Sequence, residues 1–327
     1  MRRGLNCIMI TLAIAVLAVS VLFPTTAKAA GHYMPGVMNI RDFVLPPPGF
    51  YLVTYNAFYF KPKLKNSNGN TVNSVNVGGR TVNVDADATI YGLAPAFIFT
   101  IDTGLWGINY GAVVTPSFGN TSITATLETE ERGISGKRSQ FNVGDLYVQP
   151  LWFGKHWKHV DLGFSYGFYA PIGKYSVGAA DNIGLGFWSH QMQLASYFYP
   201  WEHKATAIEL ATTFEINQKQ RGTNFTPGDI LTVELGLSHY VTPRLELGAS
   251  WYSLFEVTDD KNNPALILVG RDQVHAAGAQ VSYWVVKDRL NLSARYMGEF
   301  LGKSRLQGHL VAFNITWVIH PMGHKKE

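Results

Sequence analysis

The sequence predicts an all-β protein that folds as a transmembrane antiparallel up-and-down β-barrel of about twelve strands. Three observations support this fold class. Segments alternate apolar and polar residues with period two, short turns alternate with long loops, and no run of roughly 18 apolar residues follows residue 30. In a soluble β-sandwich the apolar face of each strand would form a core, whereas in a barrel it meets lipid and the polar face lines a watery lumen.

Residues 1–29 are expected to be a cleaved secretory signal peptide. Arg2 and Arg3 precede an apolar stretch over residues 8–23, and Ala27-Lys28-Ala29 matches a small-residue cleavage site. A membrane anchor is the less favoured alternative, because the stretch is shorter than the ~20 residues that a helical span requires.

The composition after this cleavage excludes several function classes. The only cysteine, Cys7, lies in the signal peptide, so the remaining chain would contain neither disulfides nor thiolate metal sites. The signal contains three of the 27 basic residues, so 24 basic and 23 acidic residues remain after cleavage. This near-neutral balance gives no reason to expect a nucleic-acid partner. Ser189 and His190 alternate between strand faces and cannot form a dyad, and no histidine spacing fits zinc. We therefore expect no enzyme activity, no cofactor and no metal.

Residues 30–48 are predicted to form an N-terminal segment without strands. Pro46, Pro47 and Pro48 cannot donate hydrogen bonds to a β-ladder, so pairing should begin only after them. Two interpretations remain open for this segment, a periplasmic tail or a partial plug of the barrel. The residues expected to contact the lumen in the plug interpretation are Tyr33, Met34, Arg41 and Phe43.

The barrel is predicted over residues 49–319, which leaves residues 320–327 as a C-terminal tail. The alternation is clearest in residues 205–217, where Ile208 and Leu210 lie on the face opposite Glu209. The twelve predicted strands cover residues 49–61, 83–101, 105–118, 142–154, 157–171, 185–200, 204–217, 229–241, 244–257, 271–286, 289–301 and 305–319.

The connections between these strands predict which end of the barrel faces the periplasm. Short turns are expected at one end and longer loops, rich in Asn, Gly, Ser and charged residues, at the other, as in outer-membrane barrels. Residues 119–141 are ambiguous, because they could form an extended loop hairpin or extra strands, so fourteen strands remain possible. Six tryptophans are predicted at or beside the periplasmic rim, where their amphipathic rings favour the membrane interface: Trp106, Trp152, Trp157, Trp201, Trp284 and Trp317.

The polar face of the predicted strands carries charged residues that are candidates for lining the lumen. They are Asp145, Asp161, Glu209, Glu215, Glu234, Arg244, Glu246, Arg295 and Glu299. One interpretation is that they form ion pairs and hydrogen bonds that fill a closed lumen. The other is that some of them line a permeation path, where charged constrictions set selectivity. The sequence does not pair them across strands, so both interpretations stay open.

The stretch at residues 32–60 resembles a known bacterial family. It contains HYMPG from residue 32, NIRDF from residue 39, PPPGFY from residue 46 and YNAFY from residue 55. This pattern resembles the family named after the meta-pathway of phenol degradation, outer-membrane proteins often encoded beside aromatic catabolism enzymes. The resemblance implies an outer-membrane barrel and uptake of aromatic or other hydrophobic small molecules.

Together these observations predict a passive outer-membrane channel or transporter for small hydrophobic or aromatic compounds. The expected partners are outer-membrane lipid, these solutes and the outer-membrane assembly machinery, with no nucleic acid. The alternative is a structural or adhesive outer-membrane barrel with a filled lumen and no transport activity.

Overall fold

A computed structural model of the chain describes residues 31–77, 80–128, 133–179, 182–263 and 270–322. The predicted signal peptide and its cleavage site lie outside these residues. The strands are β1 (Gly49–Lys65), β2 (Ser74–Val77), β3 (Arg80–Leu105), β4 (Ile108–Thr115), β5 (Phe118–Glu128), β6 (Gly133–Val143), β7 (Leu146–His156), β8 (Val160–Ala170), β9 (Ser189–Phe198), β10 (Thr206–Asn217), β11 (Ile230–Tyr240), β12 (Leu245–Glu256), β13 (Gln273–Val286), β14 (Leu290–Lys303) and β15 (Arg305–Pro321).

Twelve of these strands form a closed antiparallel barrel. Strands β7 to β15 each pair with the next strand along the chain, and β4 joins β7 to β3. The first strand closes the ring, because Val53 of β1 lies opposite Thr316 of β15 on one side and Ala96 of β3 on the other. The predicted all-β, up-and-down barrel of twelve strands is confirmed, and closure leaves no open sheet edge in the ring.

The ambiguous stretch at 119–141 belongs to an extended hairpin above the barrel. Strand β3 is 26 residues long and pairs with β4 near its end and with β5 near its start. The pairs Phe97–Val114 and Leu93–Phe118 keep one register across the break at residues 116–117, so β5 continues the line of β4. Strand β6 pairs only with β5 in the described residues and continues into β7. These strands lengthen the wall without widening the ring.

The two faces of each barrel strand differ in the way the sequence predicts. On β10, Ile208 and Leu210 are each 46% exposed outside, whereas Ala207, Glu209 and Ala211 are buried inside. Such alternation places an apolar surface toward lipid and a mixed polar surface toward the lumen. Other exposed apolar residues of this outer belt are Phe164, Leu194, Leu235, Leu237, Leu247, Val281, Leu292, Phe313 and Ile315.

The short turns lie at one end of the barrel, which is the periplasmic end in outer-membrane proteins. The turn between β3 and β4 has positive φ angles at Trp106 and Gly107. Two-residue hairpin turns need such angles to match the right-handed twist of the strands that they connect. Strand β15 continues to Pro321, so it enters the predicted tail by two residues. Residues 323–327 of that tail lie outside the described chain.

The tryptophans divide between the rim and the interior. Trp106, Trp157, Trp201 and Trp317 are exposed near the periplasmic end, as an aromatic rim predicts. Two other tryptophans that the sequence assigns to this rim, Trp152 and Trp284, turn inward and pack with an apolar cluster inside the barrel. For Trp152 the cause is a register shift between Val148 and Leu151. This shift at Pro150 reverses which residues of β7 face inward.

Candidate functional site

The N-terminal segment, residues 31–48, lies inside the barrel and crosses most of its height. His32 contacts Ser189 and Glu215, which lie at the extracellular ends of β9 and β10. Arg41 donates to the carbonyl oxygens of Lys204 and Ala205 in the periplasmic turn before β10. The chain therefore descends through the lumen before β1 begins at the periplasmic end.

The upper end of this segment is held by His32 between two carboxylates. Its Nε2 lies 3.0 Å from Asp145 Oδ2, and its Nδ1 lies 2.8 Å from Ser189 Oγ and 3.4 Å from Glu215 Oε1. The ring also stacks on Tyr169 at a centroid distance of 4.6 Å. These contacts fix the upper end of the segment to Asp145 and Glu215.

Backbone amides of the segment donate to inward-facing carboxylates. Glu215 accepts from the amides of His32 and Tyr33 at 2.7 and 3.0 Å. Glu234 accepts from the Tyr33 hydroxyl and from the amide of Gly36 at 3.1 Å. These buried amides have no β-partner, so the carboxylates replace the ladder that an extended chain would otherwise need.

The middle of the segment is bound by side chains of β13, β14 and β15. Arg295 donates to the carbonyl oxygen of Met38, and Asn314 Nδ2 donates to that of Val37 at 2.8 Å. Gln280 accepts from the amide of Ile40 at 3.0 Å. The segment is thus held through its backbone from several sides.

The lower end is fixed by Arg41 and Phe43. Arg41 Nε lies 2.5 Å from Glu246 Oε1, and its guanidinium lies 4.9 Å from the centre of the Tyr240 ring. The Phe43 amide donates to Tyr197 Oη at 2.9 Å, and the Phe43 side chain is buried. Both residues were predicted from the sequence as plug contacts.

The other predicted plug residues occupy different surroundings. Tyr33 is buried against Glu234, whereas Met34 is 44% exposed and faces a cavity in the lumen. The Tyr33 hydroxyl donates a hydrogen bond to the carboxylate of Glu234.

The predicted lumen residues separate into three places. Asp145, Glu215, Glu234, Glu246 and Arg295 contact the N-terminal segment. A second group pairs with other wall residues, since Asp161 binds Lys204 at 2.7 Å and Glu299 accepts from Tyr59 at 2.6 Å. Glu209 is buried, yet neither carboxylate oxygen has a hydrogen-bond partner among the described residues.

Arg244 does not line the lumen. It lies in the turn that precedes β12 and is exposed at the periplasmic end, because β12 begins only at Leu245. The inward position that period two assigns to it requires strand geometry that this turn lacks.

Beside the N-terminal segment lies a cavity of about 590 Å³. Its wall on β1, β3 and β4 is apolar, and Met34, Val37 and Met38 of the segment close another side. The apolar wall residues are Ala57, Ile90, Ala94, Ala96, Ile98 and Val113. The cavity wall continues through β7 and β9 with three neutral amides, Gln149, Gln191 and Gln193, of which Gln149 lies beside Val113 on the neighbouring strand.

The two ends of this cavity are covered. At the extracellular end the loop after β8 folds inward, and Ile183, Gly184 and Leu185 line the cavity. The amide of Leu185 donates to Asp145 at 2.7 Å, which ties the loop to the residue that holds His32. At the periplasmic end Leu45 packs with Trp152 and its neighbours, and the wall glycines Gly111 and Gly154 leave room for it.

Sequence reasoning missed the residues that shape this cavity. The glutamines and Trp152 lie at strand positions without a distinctive motif. The inward fold of the loop depends on Asp145, which accepts hydrogen bonds from the amides of Gly173 and Leu185, more than 25 residues later in the chain. No group of three or more His, Cys, Asp or Glu side chains within the described ranges could hold a metal ion.

Comparisons with known proteins agree with this architecture. A family model described as "Putative MetA-pathway of phenol degradation" matches residues 72–315. No curated protein sequence matches the chain.

Among solved structures, the fold is similar to an outer membrane channel from Pseudomonas putida F1. The TM-score is 0.66 at 13% identity, covering 86% of this chain and 100% of that one. The translocator domain of the autotransporter NalP from Neisseria meningitidis has a TM-score of 0.48 at 13% identity, covering 92% and 99%. A structure titled CymD monoaromatic hydrocarbon channel has a TM-score of 0.41 at 11% identity, covering 86% and 90%. The first likeness shows the fold, that of an outer-membrane β-barrel.

Proposed function

Because the chain belongs to the MetA-pathway family of phenol degradation, whose model covers most of it, we propose that it is an outer-membrane channel for small hydrophobic or aromatic compounds. Solutes move down their concentration gradient, without hydrolysis and without a cofactor. The similar barrel from Pseudomonas putida F1 is itself named an outer membrane channel.

The observation that carries this proposal is the apolar cavity beside the N-terminal segment. A volume of about 590 Å³ holds one or a few small aromatic molecules, and apolar walls favour such solutes over water. A barrel whose interior served only stability would be expected to pack this space with side chains, because protein interiors are normally close-packed.

Passage through the barrel requires movement at both ends of the cavity. The loop residues around Ile183 cover the extracellular end, and Leu45 with Trp152 covers the periplasmic end. Most of the N-terminal segment is bound along β10 to β15, opposite the apolar wall. We expect the loop and the contacts of Leu45 to open during transport, while the rest of the segment stays in place.

Uptake of radiolabelled toluene by a host bacterium tests this function. Expression of the native chain is expected to raise uptake above that of cells with an empty vector. Gly92→Leu is expected to reduce it several-fold, because Gly92 lines the cavity and a Cβ added there meets no atom within 4 Å, so the new side chain enters open space. Leu235→Phe, which adds bulk to the outer surface, is the matched control.

A second candidate function is a structural or adhesive barrel with a filled lumen. It is favoured by the many hydrogen bonds that hold the N-terminal segment in place. On this alternative, native cells would take up no more toluene than the vector control, and Gly92→Leu would change nothing. Either result would overturn the channel proposal.

The remaining expectations follow from the barrel. The outer belt is proposed to contact outer-membrane lipid, and insertion is proposed to use the outer-membrane assembly machinery. Catalysis is not part of the proposal, since the inward groups around the cavity are engaged in holding the segment and the loop.

A further inference from the structure

The charged groups that line the cavity are dominated by carboxylates. Asp42 and Asp145 are both among its lining residues, and the described lining contains no lysine or arginine. The single basic group there, His32, is already placed between Asp145 and Glu215. An anionic solute would therefore find no free positive partner in the described wall.

The arginine and lysine side chains found inside the described barrel are engaged elsewhere. Arg41 pairs with Glu246, Lys204 with Asp161, and Arg305 with Asp272. Arg295 donates to the Met38 carbonyl and to Ser250 Oγ. Freeing one of them would leave a buried partner without its counter-charge, which is costly in a desolvated interior.

Neutral hydrogen-bonding groups border the apolar wall instead. The Tyr147 hydroxyl donates to Gln149 at 2.8 Å and accepts from Gln191 at 3.0 Å, and Tyr169 donates to the Gln191 side-chain carbonyl at 3.2 Å. The indole nitrogen of Trp152, a lining residue, is buried without a hydrogen-bond partner among the residues that the structure describes. These groups match a hydroxyl or carbonyl oxygen on an otherwise apolar molecule.

We propose that the cavity admits uncharged aromatic solutes, including those that carry a hydroxyl or carbonyl group, and excludes aromatic carboxylates of the same size. The inference rests on the proposed function, because it identifies the substrate class of the same cavity. A carboxylate would lose its water shell against an apolar wall and meet Asp145 and Asp42 without compensation.

Binding to the full chain in lipid nanodiscs tests the selectivity. Equilibrium dialysis at pH 7 compares radiolabelled benzyl alcohol with benzoate, which share one carbon skeleton, and empty nanodiscs correct for partition into lipid. Benzyl alcohol is expected to bind at least about tenfold more tightly than benzoate, because only the anion loses the hydration of a charge without gaining a positive partner. Equal affinities would overturn the inference.

Two variants at Gly92 separate charge from shape. Gly92→Lys introduces a cation into open space in the cavity, whereas Gly92→Gln introduces a neutral side chain of similar reach. Gly92→Lys is expected to bind benzoate several-fold more tightly than Gly92→Gln does. Equal benzoate binding by the two variants would contradict exclusion by charge.

Cellular uptake of benzyl alcohol distinguishes the inference from the function on which it rests. Uptake above the vector control, together with the binding preference, supports both. A binding preference without uptake would overturn the channel function alone, and uptake of benzoate at the same rate would overturn the selectivity alone.

Discussion

At the scale of single residues, Glu209 and Glu215 show how much the surroundings of a side chain matter. Both lie on the inward face of β10 and both are buried. Glu215 accepts two backbone amides and contacts His32, whereas Glu209 has no hydrogen-bond partner within the described chain. We therefore expect two glutamates on one strand to contribute differently to stability.

We predict that Glu215→Gln lowers the thermal midpoint of barrel unfolding, whereas Glu209→Gln leaves it unchanged or raises it. An amide in place of Glu215 removes charge-assisted hydrogen bonds and costs about 1–3 kcal/mol. An amide in place of Glu209 removes a buried carboxyl group that has no hydrogen-bond partner in the described chain, so no stabilising contact is lost. Heat-dependent mobility on gels measures both midpoints, and a larger loss for Glu209→Gln would show that Glu209 has a partner of its own.

The sequence predicts such residues only in part. Period two identifies the inward face, which is why Glu209 and Glu215 could be named as lumen candidates. The partners of Glu215 are backbone and side-chain groups more than 180 residues away, as in the contact between Tyr33 and Glu215. Pairing at that distance depends on barrel closure and register, which no local pattern encodes.

At the scale of elements, the N-terminal segment determines the shape of the lumen. It is bound on the side formed by β10 to β15, and the cavity remains on the side formed by β1, β3 and β4. The sequence predicts that this segment is not a strand, because of its three prolines. The sequence does not decide whether the segment is a plug or a periplasmic tail, because a segment without periodicity does not indicate which residues it packs against.

We predict that Ile40→Cys combined with Gly248→Cys forms a disulfide in the folded barrel. An added Cβ at Gly248 would lie 2.4 Å from the Ile40 side-chain tip, so the two positions are adjacent. The native chain has no cysteine after Cys7, so the product is unambiguous.

This cross-link is expected to leave toluene uptake unchanged, because Ile40 is bound on the side of the lumen away from the apolar wall. Each single-cysteine variant is the control. Loss of uptake on oxidation with recovery on reduction would show that this part of the segment moves during transport.

At the scale of the whole molecule, the barrel itself was the most predictable feature. Each of its twelve strands overlaps a segment predicted as a strand from alternation and turn signals, and the inward and outward faces of β10 agree with the structure. A closed barrel in lipid requires regular alternation on every strand, so the signal is repeated along the chain. The cavity arises from a bulge in β7, the inward loop after β8 and the N-terminal segment together. No repeated sequence pattern corresponds to this combination, so the sequence does not predict the cavity.

We predict that Leu210→Arg strongly impairs folding into bilayers. Leu210 lies on the outer face near the middle of β10, where an arginine costs about 2–4 kcal/mol. Asn68→Arg, in the exposed loop after β1, is the control and should fold normally. Folding into lipid vesicles, followed by gel mobility, measures the yield. An unchanged yield for Leu210→Arg would mean that this surface does not face hydrocarbon.

The position of the N-terminal segment also constrains the order of assembly. The first described residues to be synthesised have partners between 113 and 277 positions later in the chain, including Asp145 and Asn314. They can become ordered only when the last strand has arrived, so the start of the chain is among the final parts to settle. The time at which the amides of His32 and Tyr33 become protected from hydrogen exchange would therefore report when the barrel closes.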